Sequence, residues 1–244
     1  MEPIVIIAAT ALELSLLIRS LGSRQFVGSG GRETYLGEFG PTKVVLAVAG
    51  IGKVNTAARL TSLLENFRPR LVINTGCGGA YPGSGLQVGD IAVASAEIYG
   101  DEGVLTPAGW KSLEAIGIAA LEHGGTRYFN EFPLALLPAE QAVQLGSVLG
   151  ITVRRGRFVT VSTCSGTTER GDELVRRFDA ICENMEGAAA VHIATGYGVD
   201  CLEVRGISNL VEDRDLSRWN IPLAAEKAQR FILKFLEAYP EEQS

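Results

Sequence analysis

Two glutamates, one arginine and one asparagine stand where side chains of their kinds could do chemistry. Glu13 follows the apolar run Ile4–Ala9 and interrupts the apolar stretch Leu12-Glu13-Leu14-Ser15-Leu16-Leu17. Taken alone it reads as a solvated helix charge. Glu186 lies in Glu183-Asn184-Met185-Glu186-Gly187-Ala188-Ala189 and opens an Ala-rich helix, whose N-terminal dipole helps keep a partly buried carboxylate ionised. Arg205 interrupts the apolar run Cys201–Ser208, and a guanidinium buried without a partner is costly, so it must face a carboxylate. With either piece alone, a structural ion pair between Arg205 and Glu186 explains the residues better than a reactive site does. Ser208 and Asn209 close that run, and an Asn amide offers a donor and an acceptor side by side.

Two glycine-rich segments lie between these residues. Gly50-Ile51-Gly52-Lys53-Val54-Asn55 is not a phosphate-binding loop, because Ala47 and Val54 stand where that pattern needs Gly and Ser or Thr. It reads as a strand-to-helix turn. Ile73-Asn74-Thr75-Gly76-Cys77-Gly78-Gly79-Ala80 puts glycines at the end of an apolar run. There they permit positive φ and close approach of a ligand to the backbone at Cys77 and Gly78, although any tight turn would use them too.

The elements that must position these residues alternate in type. Ile4–Ala9 predicts a buried strand and 11–21 a helix. The segments 33–39 and 43–49 predict a hairpin around Gly40-Pro41. Val54–Asn66 predicts a helix, 71–74 a short strand ending in the glycine turn, and 90–95 another strand. The stretch 99–127 has no clear pattern. Helices are expected over 138–149, 171–178 and 187–197, and strands over 156–163 and 201–208. In 223–239 the residues Ala224, Ala228, Phe231, Ile232, Phe235 and Leu236 share one helical face. Strands alternating with helices predict one α/β domain over 1–244, a three-layer α-β-α arrangement around a central mixed sheet. In such sheets ligands bind beyond the C-terminal ends of strands, where Glu13, Gly78 and Asn209 fall.

Composition narrows the function. The 244 residues are 46% hydrophobic and 20% charged, enough for a sizeable core in one domain. The net charge of -6 argues against a nucleic-acid surface, which needs a basic face. No stretch approaches a membrane span, and Met1-Glu2-Pro3-Ile4 lacks the basic lead of a signal peptide, so a cytoplasmic location is expected. Cys77, Cys164, Cys182 and Cys201 form no paired motif, which points to a reducing compartment. His123 and His192 have no neighbouring ligand pattern, and His192 reads as a packed side chain. No metal and no cofactor are expected.

In order and spacing these segments are similar to the nucleoside phosphorylase superfamily, and most similar to its nucleosidases. Those enzymes carry a Glu after the first strand, an Asn-Thr-Gly segment, a Met-Glu-Gly/Ala helix start and an Arg-x-Ile-Ser-Asp strand end. The resemblance runs from about Ile4 to about Phe235 and is weakest over 99–135. Within the superfamily the chain resembles most the futalosine hydrolase family of the alternative menaquinone pathway. That likeness rests on Tyr99-Gly100-Asp101-Glu102-Gly103-Val104, on Asn in Arg205-Gly206-Ile207-Ser208-Asn209, and on Arg214-Asp215 and Trp219.

The resemblance implies cleavage of an N-ribosidic bond through an oxocarbenium-like transition state. It assigns Glu13 to activating the water and Arg205 to holding Glu13 or the water. Glu186 would accept from the ribose hydroxyls, and Met185 would pack on the sugar. Asn209 would meet the purine at N7 and the 6-position, oriented by Ser208. Where adenine-specific relatives have Asp, Asn209 can give its NH2 to a 6-oxo group and its C=O to a protonated N7, which points to hypoxanthine or guanine. Cys77 replaces the Ser usual in adenine-type nucleosidases, leaving its backbone to serve. Asn74-Thr75 replaces the Arg of bacterial phosphorylases, and Glu13 would repel phosphate, so water is the expected acceptor. Arg214, Arg218 and Trp219 are candidates for a substrate tail, or solvated loop residues; Arg154, Arg155 and Arg157 could serve instead. The expected partners are a small nucleoside, water and further copies of the chain in a homodimer or larger homo-oligomer. The alternatives are a methylthioadenosine/S-adenosylhomocysteine nucleosidase, a purine nucleoside phosphorylase and a non-catalytic nucleoside-binding protein.

Overall fold

The first apolar run forms strand β1 (Ile4–Ala8), buried along its whole length. The computed structural model describes residues 2–22, 24–29 and 32–239. A 3-10 turn (Leu12–Leu14) follows β1 and leads into α1 (Ser15–Ser20). Then come β2 (Arg24–Ser29), β3 (Arg32–Phe39), β4 (Thr42–Val48), α2 (Lys53–Asn66), β5 (Leu71–Ala80) and β6 (Ile91–Tyr99). Two small hairpins follow, β7 (Val104–Thr106) with β8 (Gly109–Lys111) and β9 (Leu121–His123) with β10 (Thr126–Tyr128). The rest is β11 (Glu131–Pro133), α3 (Leu136–Leu149), β12 (Val153–Thr160), α4 (Thr168–Phe178), β13 (Ala180–Asn184), α5 (Gly187–Gly196), β14 (Cys201–Leu210) and α6 (Ile221–Ala238).

The expected α/β fold with a central mixed sheet is what the chain adopts. β1 lies between β4 and β5, parallel to both. β5 continues parallel to β14, and β14 runs antiparallel to β6. β6 is parallel to β12 and β12 to β13, which returns antiparallel to β5. β5, β14, β6, β12 and β13 therefore close into a ring. Successive strand residues point to opposite faces. In β1, Ile4, Ile6 and Ala8 join the core that holds Leu14, Leu17, Ala139, Phe231 and Phe235, under α1, α3 and α6. Val5 and Ile7 join the opposite core with Leu60 and Leu63 of α2 and Ala188 and Val191 of α5. Each fully buried Val, Leu, Ile or Phe contributes roughly 1.5–3 kcal/mol. All six predicted apolar positions of α6 are buried.

Several local expectations change. The glycines after Asn74 do not form a turn: β5 runs through them to Ala80, because β14 pairs along one edge and β13 along the other. The predicted helix over 11–21 begins as a 3-10 turn, with Leu14 N donating to Ala11 O. The Glu13 carboxylate accepts from Thr10 N at 2.9 Å and from Thr10 Oγ1 at 2.8 Å, which folds the segment back on itself and tightens it. The strands β2, β11 and β13 carry too little alternation to be anticipated. His192 packs between Phe132, stacked at 4.7 Å, and Tyr99, whose hydroxyl lies 3.1 Å from Nδ1.

Candidate active site

A cavity of about 310 Å³ opens at the ends of β1, β5, β13 and β14. Glu13, Cys77, Gly78, Met185, Glu186, Ser208, Asn209 and Trp219, all singled out from the sequence, line it. Arg205 does not: it is 1% exposed and lies behind the wall.

Glu13 is fixed by three donors. Besides Thr10, Cys77 N donates to Oε1 at 2.9 Å, so the Cys77 backbone does the holding. The close approach depends on Gly76 (φ +153°), where a Cβ would come within 2.6 Å of Glu13 Oε1. The Cys77 thiol donates to Ile221 O at 3.5 Å, and burial together with the Glu13 charge pushes it up to about 12. Behind Glu13, Gln229 of α6 binds the segment from the core side. Its Oε1 accepts from Leu16 N at 2.7 Å and Leu17 N at 3.3 Å, and its Nε2 donates to Leu12 O at 3.2 Å. Sequence reasoning missed Gln229, although a polar residue on the apolar face of α6 was the available signal.

Glu186 stands at the N-terminal end of α5 but does not cap it. Asn184 Oδ1 takes the first amides instead, from Glu186 N at 2.9 Å and Gly187 N at 2.7 Å. That frees the Glu186 carboxylate, whose Oε1 accepts from Gly52 N at 3.0 Å and Oε2 from Arg205 Nη1 at 3.2 Å. Arg205 forms the expected ion pair with Glu186 and a second one, at 2.8 Å, with Glu203, while no direct pair with Glu13 forms among the described residues. Arg205 reaches these two because Glu203 shares its face of β14 and Glu186 follows β13, which lies on the other side of β5 in the strand ring. Nη1 also donates to Cys77 O at 3.1 Å. Burial opposes the arginine's charge, but Glu203, Glu186 and Glu13 together outweigh it and hold the guanidinium ionised. Glu203 was missed; an acid two residues before Arg205 in the strand was the signal.

Ser208 sits at a register shift of β14 against β5, between Ile207 opposite Gly78 and Asn209 opposite Gly79. Such a bulge re-aims side chains, and here both Ser208 and Asn209 line the cavity. Ser208 Oγ donates to Asn209 Oδ1 at 2.7 Å, and Asn209 Nδ2 donates to Leu210 O at 3.0 Å. Ser208 thus holds the amide by one lone pair of its carbonyl, and the second lone pair and the second amide hydrogen remain.

The loop 161–167 forms another wall that sequence reasoning did not find. Glu183 Oε1 accepts from Ser165 N at 2.8 Å, and its Oε2 accepts from Ser165 Oγ and, at 3.1 Å, from Tyr81 Oη. At the mouth, Arg214 stacks on Trp219 at 4.6 Å, whereas Arg218 pairs with Glu212 at 2.5 Å. Arg154, Arg155 and Arg157 do not line the cavity, and Arg157 pairs with Glu131. Asn74 and Thr75 are buried in the sheet rather than at the cavity. The lining contains three carboxylates, Glu13, Glu183 and Glu186, and among the described residues no arginine, lysine or histidine. Among the described residues no helix is long and apolar enough to cross a membrane.

Two fixed carboxylates, Glu13 and Glu186, and the amide of Asn209 thus line one cavity. Residues 3–237 match the family described as the Phosphorylase superfamily, and the chain belongs to it. Among its relatives, the 5'-methylthioadenosine/S-adenosylhomocysteine nucleosidase of Listeria monocytogenes is 30% identical over 95% of this chain and 97% of its own. The futalosine hydrolase of Thermus thermophilus is 33% identical over 80% of this chain and 82% of its own. A solved S-adenosylhomocysteine nucleosidase from Streptococcus pyogenes superposes with a TM-score of 0.86 at 26% identity, covering 98% of both chains. The corresponding nucleosidase of Neisseria meningitidis gives 0.85 at 23% identity over 98% of this chain and 100% of its own. The protein is an enzyme of the N-glycosyl hydrolase type, as these relatives are. At the finer level, likeness across the whole chain favours the methylthioadenosine/S-adenosylhomocysteine alternative over the futalosine expectation.

Proposed function

We propose that this protein hydrolyses the N-ribosidic bond of a purine ribonucleoside whose base carries a 6-oxo group, releasing hypoxanthine from a nucleoside of the futalosine type. The observation that carries this reading is the Asn209 amide in the cavity wall, its carbonyl accepting from Ser208 Oγ and one of its N–H groups left over; in this reading that N–H donates to the base. N7 and O6 of a 6-oxopurine are both acceptors; adenine presents a donor at the 6-position, which would face another donor. A mismatched pair of buried groups costs about 1–3 kcal/mol.

In this reading Glu13 takes a proton from water as the water oxygen bonds to C1′ and the C1′–N9 bond breaks. Glu186 accepts from the ribose hydroxyls and offsets the positive charge on the sugar. Asn209 hydrogen-bonds the departing base, which takes its proton from solvent. The acidic lining supports water over phosphate, because a dianion needs several cationic or N–H donors. The exposed Ile51 and Val54, at the cavity rim and the start of α2, support a homo-oligomer, which sedimentation velocity would register as a mass of at least two chains.

A second reading has its own support. The relatives matching nearly the full chain are methylthioadenosine/S-adenosylhomocysteine nucleosidases, so on relatives alone an adenine nucleoside is the better supported substrate. One experiment separates the two. Purified enzyme is given futalosine, inosine, methylthioadenosine and S-adenosylhomocysteine without phosphate, and free bases are quantified. Preferential release of hypoxanthine is expected; preferential release of adenine overturns the 6-oxo reading, and a requirement for phosphate overturns hydrolysis.

A further inference from the structure

Behind Arg205 lies a pair of acids that no substrate could touch. Glu203 is fully buried, and its Oε1 accepts from Arg205 Nε at 2.8 Å. Its Oε2 is buried with no hydrogen-bond partner. Glu97, near the end of β6, is equally buried. Thr160 Oγ1 of β12 donates to Glu97 Oε2 at 2.7 Å, and Asn184 Nδ2 of β13 donates to Glu97 Oε1 at 2.6 Å. A Cβ on Gly187, the first residue of α5, would lie 2.0 Å from Glu97 Oε1 and 2.4 Å from Glu203 Oε2. The two oxygens therefore converge over that glycine, where no larger residue fits. The groups facing Glu97 are thus Glu203 and Arg205 of β14, Thr160, Asn184 and the N-terminus of α5.

We propose that Glu97 and Glu203 share one proton, carried by Glu97, and that Glu203 acts through Arg205 as a positioning residue for Glu186 and Glu13. Two buried carboxylates in contact cannot both be ionised, and a proton on Glu97 Oε1 supplies the donor that Glu203 Oε2 lacks. Burial, reinforced by the Glu203 charge, holds the Glu97 carboxyl well above the usual carboxylate range. The pair then carries one negative charge, matched to the one positive charge of Arg205. Glu186, at the longer 3.2 Å contact, keeps its own charge available for the sugar. Without Glu203 the whole guanidinium charge falls on Glu186 and Glu13.

The kinetic consequence rests on the nucleosidase reading; the shared proton does not. The first measurement is therefore an infrared difference spectrum of wild type minus Glu97→Gln at pH 7, with no substrate. A protonated carboxyl band present in wild type and lost in the variant is expected, and its absence from wild type overturns the proposal. Since this spectrum needs no turnover, its result is separate from the failure of any substrate assay. The second measurement is the pH profile of kcat. Glu97→Gln keeps the pair's single charge but cannot both donate to Glu203 and accept from Asn184 Nδ2, so kcat should fall less than in Glu203→Gln, with an unmoved acid limb. Glu203→Gln should lower kcat about 10–100-fold with little change in KM, the size of effect seen when the support of a working group is removed. Its acid limb should move to lower pH, because an uncompensated Arg205 favours the ionised carboxylates. A fall in kcat without that movement, or equal harm from both variants, overturns the positioning role. If Glu203→Gln does not fold, the infrared spectrum and Glu97→Gln kinetics decide.

Discussion

Ser208 and Asn209 are chain neighbours that both face the cavity, and the hydroxyl of the first donates 2.7 Å to the carbonyl of the second. Consecutive strand residues ordinarily face opposite sides; the bulge between Ile207 and Asn209 removes that alternation. Ser208 thereby holds the carbonyl end of the amide. Asn209→Asp removes the fixed donor and supplies a group that can accept from a 6-amino substituent. The ratio of kcat/KM for adenine over hypoxanthine nucleosides should rise at least about tenfold, which is 1.4 kcal/mol in differential transition-state binding. Paired assays of the two nucleosides measure this, and an unchanged ratio removes Asn209 as the base discriminator.

Glu13→Gln keeps the shape of the side chain and removes its basicity. Turnover should fall about 10²–10⁴-fold, the usual contribution of a general base, while nucleoside affinity changes little. Calorimetric titration beside a product assay separates the two effects. Full turnover in the variant would move the water-activating role elsewhere.

Gln229 makes four hydrogen bonds, counting Ala225 O at 2.9 Å, and three of them hold the segment bearing Glu13 against α6. Gln229→Leu leaves the amides of Leu16 and Leu17 without that acceptor, at about 1–3 kcal/mol for each buried group left unpaired. The Tm should drop by several degrees, since 1 kcal/mol moves a chain of this size by roughly 2–4 °C. The kcat should fall as well, with KM less affected, because Glu13 loses its backing. Thermal denaturation beside steady-state kinetics tests both.

Cys77 and Cys164 both line the cavity, but Cys77 is the more enclosed. With its thiol pushed up to about 12 by burial and by Glu13, Cys77 stays in the unreactive thiol form at pH 8. The sign is that of a raised acid group: the neutral form persists as pH rises. Iodoacetamide at pH 8 should modify Cys164 well before Cys77, read by peptide mass spectrometry. Glu13→Gln should narrow the gap, because it removes a negative charge that disfavours the thiolate.

The sequence by itself determined the α/β class, most helices, the apolar face of α6 and Glu13, Glu186, Ser208 and Asn209 as residues that line the cavity. These were legible because periodicity encodes which face is buried, and because charges inside apolar runs need partners. It did not determine that Glu203 is a second partner of Arg205, the extension of β5 through its glycines, or the direction of the Asn209 amide. Each depends on contacts between segments far apart in the chain. Glu97 and Glu203 are 106 positions apart and meet only where β6, β14 and the start of α5 converge. Gln229 and Leu12 are likewise joined only when α6 packs beside β1. Local propensity carries no information about such meetings. The closing of the strand ring places four carboxyls around one arginine, and tertiary packing alone decides which of them pair with it and which remain for the substrate.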